Sequence, residues 1–150
     1  MDINATKETL NVNKIVCEKK ELISVQGDMI VPDSKPDILS TINTSGNVCI
    51  YKKETLDGKV RIDGSILTYI MYLAEGENDS IRGLNTNLDF SEIINMPEVT
   101  TGMNIDVGIM VKFIECKVLN GRKIALNASI EANIKAYANE TVDIITNLND

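Results

Sequence analysis

Residues 105–136 read IDVGIMVKFIECKVLNGRKIALNASIEANIKA, and this stretch decides the fold. On both sides of Asn120-Gly121, apolar residues recur at every second position, which is the pattern of half-buried β-strands. Asn-Gly can adopt the positive φ angles that a two-residue type I′ hairpin turn requires. The stretch therefore predicts an antiparallel β-hairpin with Asn120 and Gly121 at its tip.

A turn at this position also fixes the register of the hairpin, because a slip of one residue would exchange its two faces. The apolar face then consists of the pairs Ile105–Ala136, Val107–Ile134, Ile109–Ala132, Val111–Ile130 and Phe113–Ala128. The reverse face is mixed, with the pairs Asp106–Lys135, Gly108–Asn133, Met110–Glu131 and Lys112–Ser129. One buried and one solvated face are typical of antiparallel sheets. Nearer the turn Glu115 would face Leu126, so we expect a β-bulge around Glu115 to Cys116.

A second hairpin is predicted around Asp57-Gly58, which lies between two further alternating segments. Its charged face consists of the pairs Lys52–Asp63 and Glu54–Arg61, and opposite charges across strands are stabilising. Its other face consists of the pairs Thr55–Val60, Lys53–Ile62, Tyr51–Gly64 and Cys49–Ile66. The tetrapeptides at 56–59 and 119–122, LDGK and LNGR, hint at a duplicated hairpin but are too short to establish one.

The strand predicted from Val60 to Ala74 changes character along its length. From Ile66 onward both of its faces are apolar except at Thr68, so something must cover the second face. A neighbouring part of the same domain is one possibility, and a partner protein is the other, because large exposed apolar patches are rare on monomers. Tyr69, Met71 and Leu73 are therefore candidate interaction residues.

The rest of the chain gives shorter signals. Strands are predicted over 21–31 and 81–90. One helical turn is expected over 36–42, where Pro36 and then Asp37 suit a helix start. A short non-strand piece is expected over 91–96, and the tail from Thr141 is either a last strand or a short helix.

These elements predict an all-β fold, an antiparallel β-sandwich with long bent strands and one or two short helical turns. A partly open barrel is the alternative. A length of 150 residues favours a single domain, 1–150, with its core at about 14–137.

Composition excludes several classes of function. The chain has 15 basic and 22 acidic residues, a net charge of −7, four Tyr, two Phe and no Trp, so we expect no nucleic-acid partner. It has no His, which removes histidine-based catalysis and His-metal sites, and its three cysteines lack zinc-ligand spacing. Free cysteines suit a reducing compartment. No apolar run is long enough to span a bilayer, and no secretion signal is recognisable, so we expect neither.

The remaining catalytic option is a pair of carboxylates, such as Asp33 with Asp37 or Glu75 with Glu77. Aspartates in proline-rich turns commonly bond turn amides instead, and glutamates in loops are commonly solvated. No EF-hand-like spacing for calcium occurs. We therefore predict no catalytic residue, no metal and no cofactor.

The segment Val31-Pro32-Asp33-Ser34-Lys35-Pro36-Asp37-Ile38-Leu39 resembles the hallmark of SPOCS domains, which occur in spore-coat proteins of endospore-forming Firmicutes. The resemblance continues through LDGKV at 56–60 and NGRKI at 120–124, and it covers roughly residues 14–137. The motif positions are Val31, Pro32, Asp33, Lys35, Pro36, Asp37, Asp57, Gly58, Asn120 and Gly121.

This resemblance implies a non-catalytic scaffold in the mother-cell cytoplasm at the forespore surface, with the coat ATPase SpoIVA as a partner. It leaves open whether these residues contact SpoIVA, another coat protein or a second copy of the chain. Some proteins with this domain also carry a C-terminal LysM module, which these 150 residues do not contain, so we expect a part of a longer protein.

Two further alternatives concern binding sites. Arg122 and Lys123, at the predicted hairpin tip, either meet an acidic partner or simply keep a turn solvated. The rival to a protein scaffold is a carbohydrate-binding sandwich for peptidoglycan, in which Tyr137 would take part.

Overall fold

The computed structural model describes residues 4–76 and 80–149, with side chains described over 14–76 and 80–139. It contains the strands β1 (Asn4–Ile30), β2 (Ile38–Leu56), β3 (Lys59–Ala74), β4 (Ile81–Asn95), β5 (Asn104–Asn120) and β6 (Lys123–Asn149). The strands predicted over 21–31 and 81–90 lie within β1 and β4 apart from Val31, and the tail from Thr141 continues β6 as a strand.

The predicted helical turn over 36–42 is wrong, because β2 already begins at Ile38 and no helix occurs in the described residues. The backbone amide of Ile38 donates to the carbonyl of Gly121 at 2.9 Å, which holds this segment extended. The predicted non-strand piece at 91–96 is also wrong, since β4 continues through residue 95. In the part of the chain that is described, no helix is available to cross a membrane.

The strands form two three-stranded antiparallel sheets, with the orders β1-β6-β5 and β2-β3-β4. This confirms the predicted all-β sandwich. The middle strands supply much of the core, because both of their neighbours are strands of the same sheet. Fully buried side chains include Ile62, Ile66, Ile70 and Tyr72 of β3 and Ile124, Ile130 and Ile134 of β6.

The two sheets have the same internal plan, which supports the hint of duplication. Each sheet combines one single strand, β1 or β4, with the hairpin from the other half of the chain. The connections between the sheets, β1 to β2 and β4 to β5, also match. In the first, the amide of Val31 donates to the carbonyl of Arg122 at 2.8 Å. In the second, the amide of Met96 donates to the carbonyl of Gly58 at 2.9 Å. Each sheet-to-sheet connection therefore holds the tip of the hairpin beside it.

In the β2–β3 hairpin the predicted register is confirmed from Leu56–Lys59 to Lys52–Asp63. A register shift at Tyr51 then places Ile50 opposite Gly64 and Cys49 opposite Ser65, so the pairs Tyr51–Gly64 and Cys49–Ile66 are wrong. The space over Gly64 is taken by Phe90, whose Cζ would lie 2.8 Å from a Cβ added there. The turn has a positive φ at Gly58 only, so it is not type I′.

In the β5–β6 hairpin four of the predicted apolar pairs are confirmed, from Val111–Ile130 to Ile105–Ala136. The turn is one residue later than predicted, because Asn120 pairs with Lys123. Neither Asn120 nor Gly121 has a positive φ, so type I′ is wrong here too. The carboxamide oxygen of Asn120 instead accepts the amide of Arg122 at 2.8 Å, as in an Asx-turn.

Two bulges of β5 compensate for this later turn. They lie at Leu119 and Lys112, on either side of the bulge predicted around residues 115–116, which is absent from the described register. Between them Phe113 faces Ser129, so the predicted pairs Phe113–Ala128 and Lys112–Ser129 are wrong. Beyond Lys112 the two shifts add up to restore the predicted pairing.

Candidate interaction surface

The SPOCS-like motif forms the connection from β1 to β2 and surrounds the guanidinium of Arg122. Nη1 of Arg122 donates to the carbonyl of Lys35 at 2.7 Å and to Oδ1 of Asp37 at 3.0 Å. Nη2 donates to the carbonyl of Pro32 at 2.7 Å and to that of Val31 at 2.9 Å. Three backbone carbonyls and one carboxylate of the motif thus accept hydrogen bonds from the same guanidinium.

The rest of the motif is anchored to the core. Val31 and Ile38 are buried at its two ends. The hydroxyl of Tyr72 donates to the carbonyl of Pro36 at 3.4 Å, and burial raises the pKa of this tyrosine above its ordinary value. Asp33 is fully exposed and lies 3.8 Å from Arg122. Asp33 and Asp37 therefore lie on either side of the Arg122 guanidinium, an arrangement that stabilises the β1–β2 connection.

The charged tip residues are thus directed toward their own chain. Arg122 is engaged by the motif, and Nζ of Lys123 lies 3.8 Å from a carboxylate oxygen of Asp28 in β1. Their assignment as interaction residues stays a prediction. Of the second carboxylate pair, Glu77 lies outside the described residues.

The Asp57-Gly58 turn is held in a similar way at the connection from β4 to β5. Oδ1 of Asp57 accepts the backbone amide and the hydroxyl of Thr101, both at 3.2 Å. The amide of Gly58 donates to the carbonyl of Val99 at 2.7 Å. These motif positions are accounted for by contacts within the chain.

The outer side of the β2-β3-β4 sheet carries the predicted residues Tyr69, Met71 and Leu73 together with Leu67, in a row along the middle strand. Leu67 and Tyr69 are 46% and 41% exposed, and the other two are half-buried. The ring of Tyr69 packs against Gly83 of β4, where an added Cβ would lie 2.9 Å from its Cζ. The three predicted residues therefore belong to one apolar ridge, Leu67 to Leu73.

The residues directly opposite this ridge on the two neighbouring strands carry no charge. Its cross-strand neighbours are Asn43, Ser45 and Asn47 of β2 and Gly83, Asn85 and Asn87 of β4. Exposed apolar side chains extend it at one end, namely Leu39, Ile42 and Ile81. We call the ridge with these neighbours the neutral face. A surface without charge is unusual in a chain of which 25% is Asp, Glu, Lys and Arg.

Two residues of the neutral face were missed by the sequence analysis for a physical reason. Leu39 and Ile42 lie at register shifts of β2, and both side chains are half-exposed. Alternation predicts a face only where the pairing is regular, so bulged residues are not assigned by it. Ile81 begins β4 and is opposite Leu73.

The outer side of the other sheet has a different character. Lys112 lies 3.6 Å from Glu131 there, and Asp106 is opposite Lys135. Met110, 54% exposed, is surrounded by such residues rather than by other apolar side chains. Met110 therefore lies among charged residues, whereas the ridge Leu67 to Leu73 lies among uncharged ones.

The described residues contain no group of three or more Cys, Asp or Glu side chains that is arranged to hold a metal ion. Cys17, Cys49 and Cys116 are free thiols, and burial raises the pKa of Cys17 and of Cys116. A raised thiol pKa disfavours the nucleophilic thiolate.

The model of the family described as SipL, SPOCS domain, matches residues 37–119, which is more than half of the chain. The chain belongs to the SPOCS domain family. The matched part begins at Asp37, beside Arg122, and contains β2 through β4 and nearly all of β5. No curated protein and no solved structure matches the chain.

Family membership gives the general character of this SPOCS domain. It is a sporulation-related, coat-associated domain of a non-enzymatic type. The matched residues include the whole neutral face.

Proposed function

We propose that this SPOCS domain is a non-catalytic protein-interaction scaffold in endospore coat assembly, and that the neutral face binds a coat protein. The domain would act in the mother-cell cytoplasm at the forespore surface. Membership of the SipL family supports the setting, and the neutral face supports the mode of action.

The neutral face is the observation that carries the proposal. The centres of protein interfaces are depleted in charged residues and enriched in Tyr and Met, as on this ridge. Leaving such side chains in water is unfavourable by about 25 cal/mol for each Å² of apolar surface. A partner that covers Leu67 and Tyr69 would recover that free energy without having to desolvate a charge.

A SpoIVA-like coat ATPase is the partner that the family resemblance favours, and another coat protein or a second copy would use the same chemistry. Self-association has its own support, because two chains of net charge −7 would avoid bringing like charges together at this face. A three-stranded sheet is only about 14 Å wide. The interface that one neutral face can form is small for a stable complex. Many copies of the domain bound along the forespore surface would raise the overall avidity.

Co-purification of SpoIVA with the domain tests the proposal. Met71→Glu places a charge on the neutral face, and we expect it to abolish retention of SpoIVA. Met110→Glu makes the same change on the outer side of the other sheet, and we expect it to leave retention unchanged. Equal retention by both variants, with folding confirmed by circular dichroism, would contradict the assigned surface.

A carbohydrate-binding module is the second candidate, supported by a groove of about 320 Å³ beside Tyr137. Its lining is uncharged and includes Asn104, Asn139 and Thr100. Amide and hydroxyl groups beside an aromatic ring suit a sugar. Retention of the domain by insoluble peptidoglycan, lost on Tyr137→Ala, would favour this function over the scaffold.

A further inference from the structure

A second feature lies on the same sheet, beyond the neutral face toward the Asp57 turn. It is an open groove of about 510 Å³ lined by Tyr51, Arg61, Asp63, Gly64, Asp89, Phe90 and Ser91. The groove crosses all three strands of the sheet, with Tyr51 from β2 on one side and Asp89 from β4 on the other. None of these residues belongs to the neutral face.

Tyr51 stands in the groove because of the bulge in β2. Regular pairing would place its ring over Gly64, but Phe90 occupies that space. The shift leaves Tyr51 62% exposed. Bulges are over-represented beside functional sites, where they redirect a side chain. An exposed aromatic ring beside a groove is available for stacking.

The groove contains one positive and two negative side chains, and the carboxylate of Asp89 has no cationic partner among the lining residues. Asp63 accepts hydrogen bonds from the hydroxyl of Ser91 and from Nε of Arg61, so the charge of Arg61 is already compensated. The carboxylate of Asp89 makes no hydrogen bond or ion pair within the described residues. The groove therefore has a net charge of about −1 at neutral pH, at its β4 side.

We propose that this groove binds an arginine side chain from a basic segment of a partner protein. The guanidinium pairs with Asp89, and the side chain stacks on the ring of Tyr51, as planar guanidinium groups do on aromatic faces. β2 and β4 lie about 10 Å apart across β3, a span that one extended arginine can bridge.

The overall charge of the chain fits a basic partner, because a net charge of −7 attracts a cationic segment over a distance. An uncharged sugar would stack on Tyr51 equally well but would leave Asp89 unpaired. The inference rests on the proposed role as an interaction domain, but it uses a different surface and a different chemistry from the neutral face.

The test uses a small probe, so that its outcome does not depend on which coat protein binds. The peptide acetyl-Gly-Arg-Gly-amide is titrated into the ¹⁵N-labelled domain, and backbone amide shifts are followed by NMR. We expect saturable shifts at Gly64 and Ser91 at millimolar peptide. The same peptide with citrulline, which is uncharged but similar in shape, should bind about threefold more weakly or worse.

Variants then separate the two contacts. Asp89→Asn and Tyr51→Leu should each weaken binding by about threefold or more, while the ¹⁵N spectrum reports that the fold is kept. Asp106→Asn, an exposed aspartate of β5, is the matched control and should bind like the unchanged chain.

Equal binding of the citrulline peptide, no shift at Gly64, or unchanged binding by Asp89→Asn would each overturn the inference. Shifts at these amides with a soluble N-acetylglucosamine oligomer, and none with the arginine peptide, would assign the groove to a glycan instead. Failure of the peptide test would leave SpoIVA retention through the neutral face unaffected, and loss of SpoIVA retention would leave the peptide result unaffected.

Discussion

Nη1 of Arg122 donates a hydrogen bond of 2.7 Å to the carbonyl oxygen of Lys35, a residue 87 positions earlier in the chain. This contact joins the tip of the β5–β6 hairpin to the connection between β1 and β2. Since Val31, Pro32 and Asp37 also accept from the same guanidinium, the motif and the hairpin tip form one unit.

Loss of this unit should be measurable as a loss of stability. Arg122→Ala leaves several carbonyl acceptors unpaired, and we expect the free energy of unfolding to fall by about 2 to 3 kcal/mol. Arg122→Lys should restore only part of this, because a lysine lacks the planar fork that reaches several acceptors. Arg82→Ala, at an exposed arginine of β4, is the control and should change stability by less than about 0.5 kcal/mol. Urea denaturation measures all three, and equal effects of Arg122→Ala and Arg82→Ala would contradict the structural role.

The hairpins were predictable from the sequence because alternation and charge pairs are local signals. Lys52 with Asp63 and Val111 with Ile130 pair as these signals require. The bulge at Tyr51 was not predictable, since it depends on Phe90 of a strand that follows later in the chain. The same holds for most of the candidate site. Alternation along one strand predicts that Tyr69, Met71 and Leu73 share a face, but which uncharged residues lie beside them depends on the order of the strands in the sheet.

Close packing at Gly64 can be tested with a matched pair of glycines. In Gly64→Ala the new Cβ would lie 2.6 Å from the carbonyl oxygen of Cys49, a backbone atom that cannot easily move. We expect a loss of about 1 to 3 kcal/mol in the free energy of unfolding. Gly108→Ala meets nothing within 4 Å and should be neutral or stabilising by up to about 1 kcal/mol. Thermal unfolding compares the two, and the opposite order would contradict the packing around Gly64.

The titration of Asp63 reports on the groove. The hydrogen bond from Ser91, and after it the contact with Arg61, lowers the pKa of Asp63 below its ordinary value. A lowered folded-state pKa stabilises the fold above the ordinary pKa of an aspartate, and this contribution is lost as the pH falls through the lowered pKa. In Ser91→Ala we expect the pKa of Asp63 to rise toward the ordinary value, so that the loss begins at a higher pH.

Carboxyl ¹³C shifts followed from neutral to acidic pH measure this change directly. Ser24→Ala, at an exposed serine of β1, should leave the Asp63 titration unchanged. An Asp63 pKa that does not respond to Ser91→Ala would show that the hydrogen bond does not control this carboxylate.

The ends of the chain should be dispensable for folding. β5 pairs with β6 only as far as Tyr137, so the described residues beyond it in β6 pair with β1 alone. A two-stranded ribbon contributes little stability by itself. We propose that residues 14–137 form the folding unit and expect them to unfold cooperatively within a few degrees of the 150-residue chain. A non-cooperative transition by calorimetry would contradict this boundary.

The central claim is that the neutral face binds a coat protein, and hydrogen–deuterium exchange of the domain with and without SpoIVA tests it most directly. We predict slower exchange in peptides covering residues 67–73 of β3 and 81–87 of β4, with no change over residues 105–117 of β5. Slower exchange confined to β5 and β6, or no protection anywhere at saturating SpoIVA, would contradict the claim.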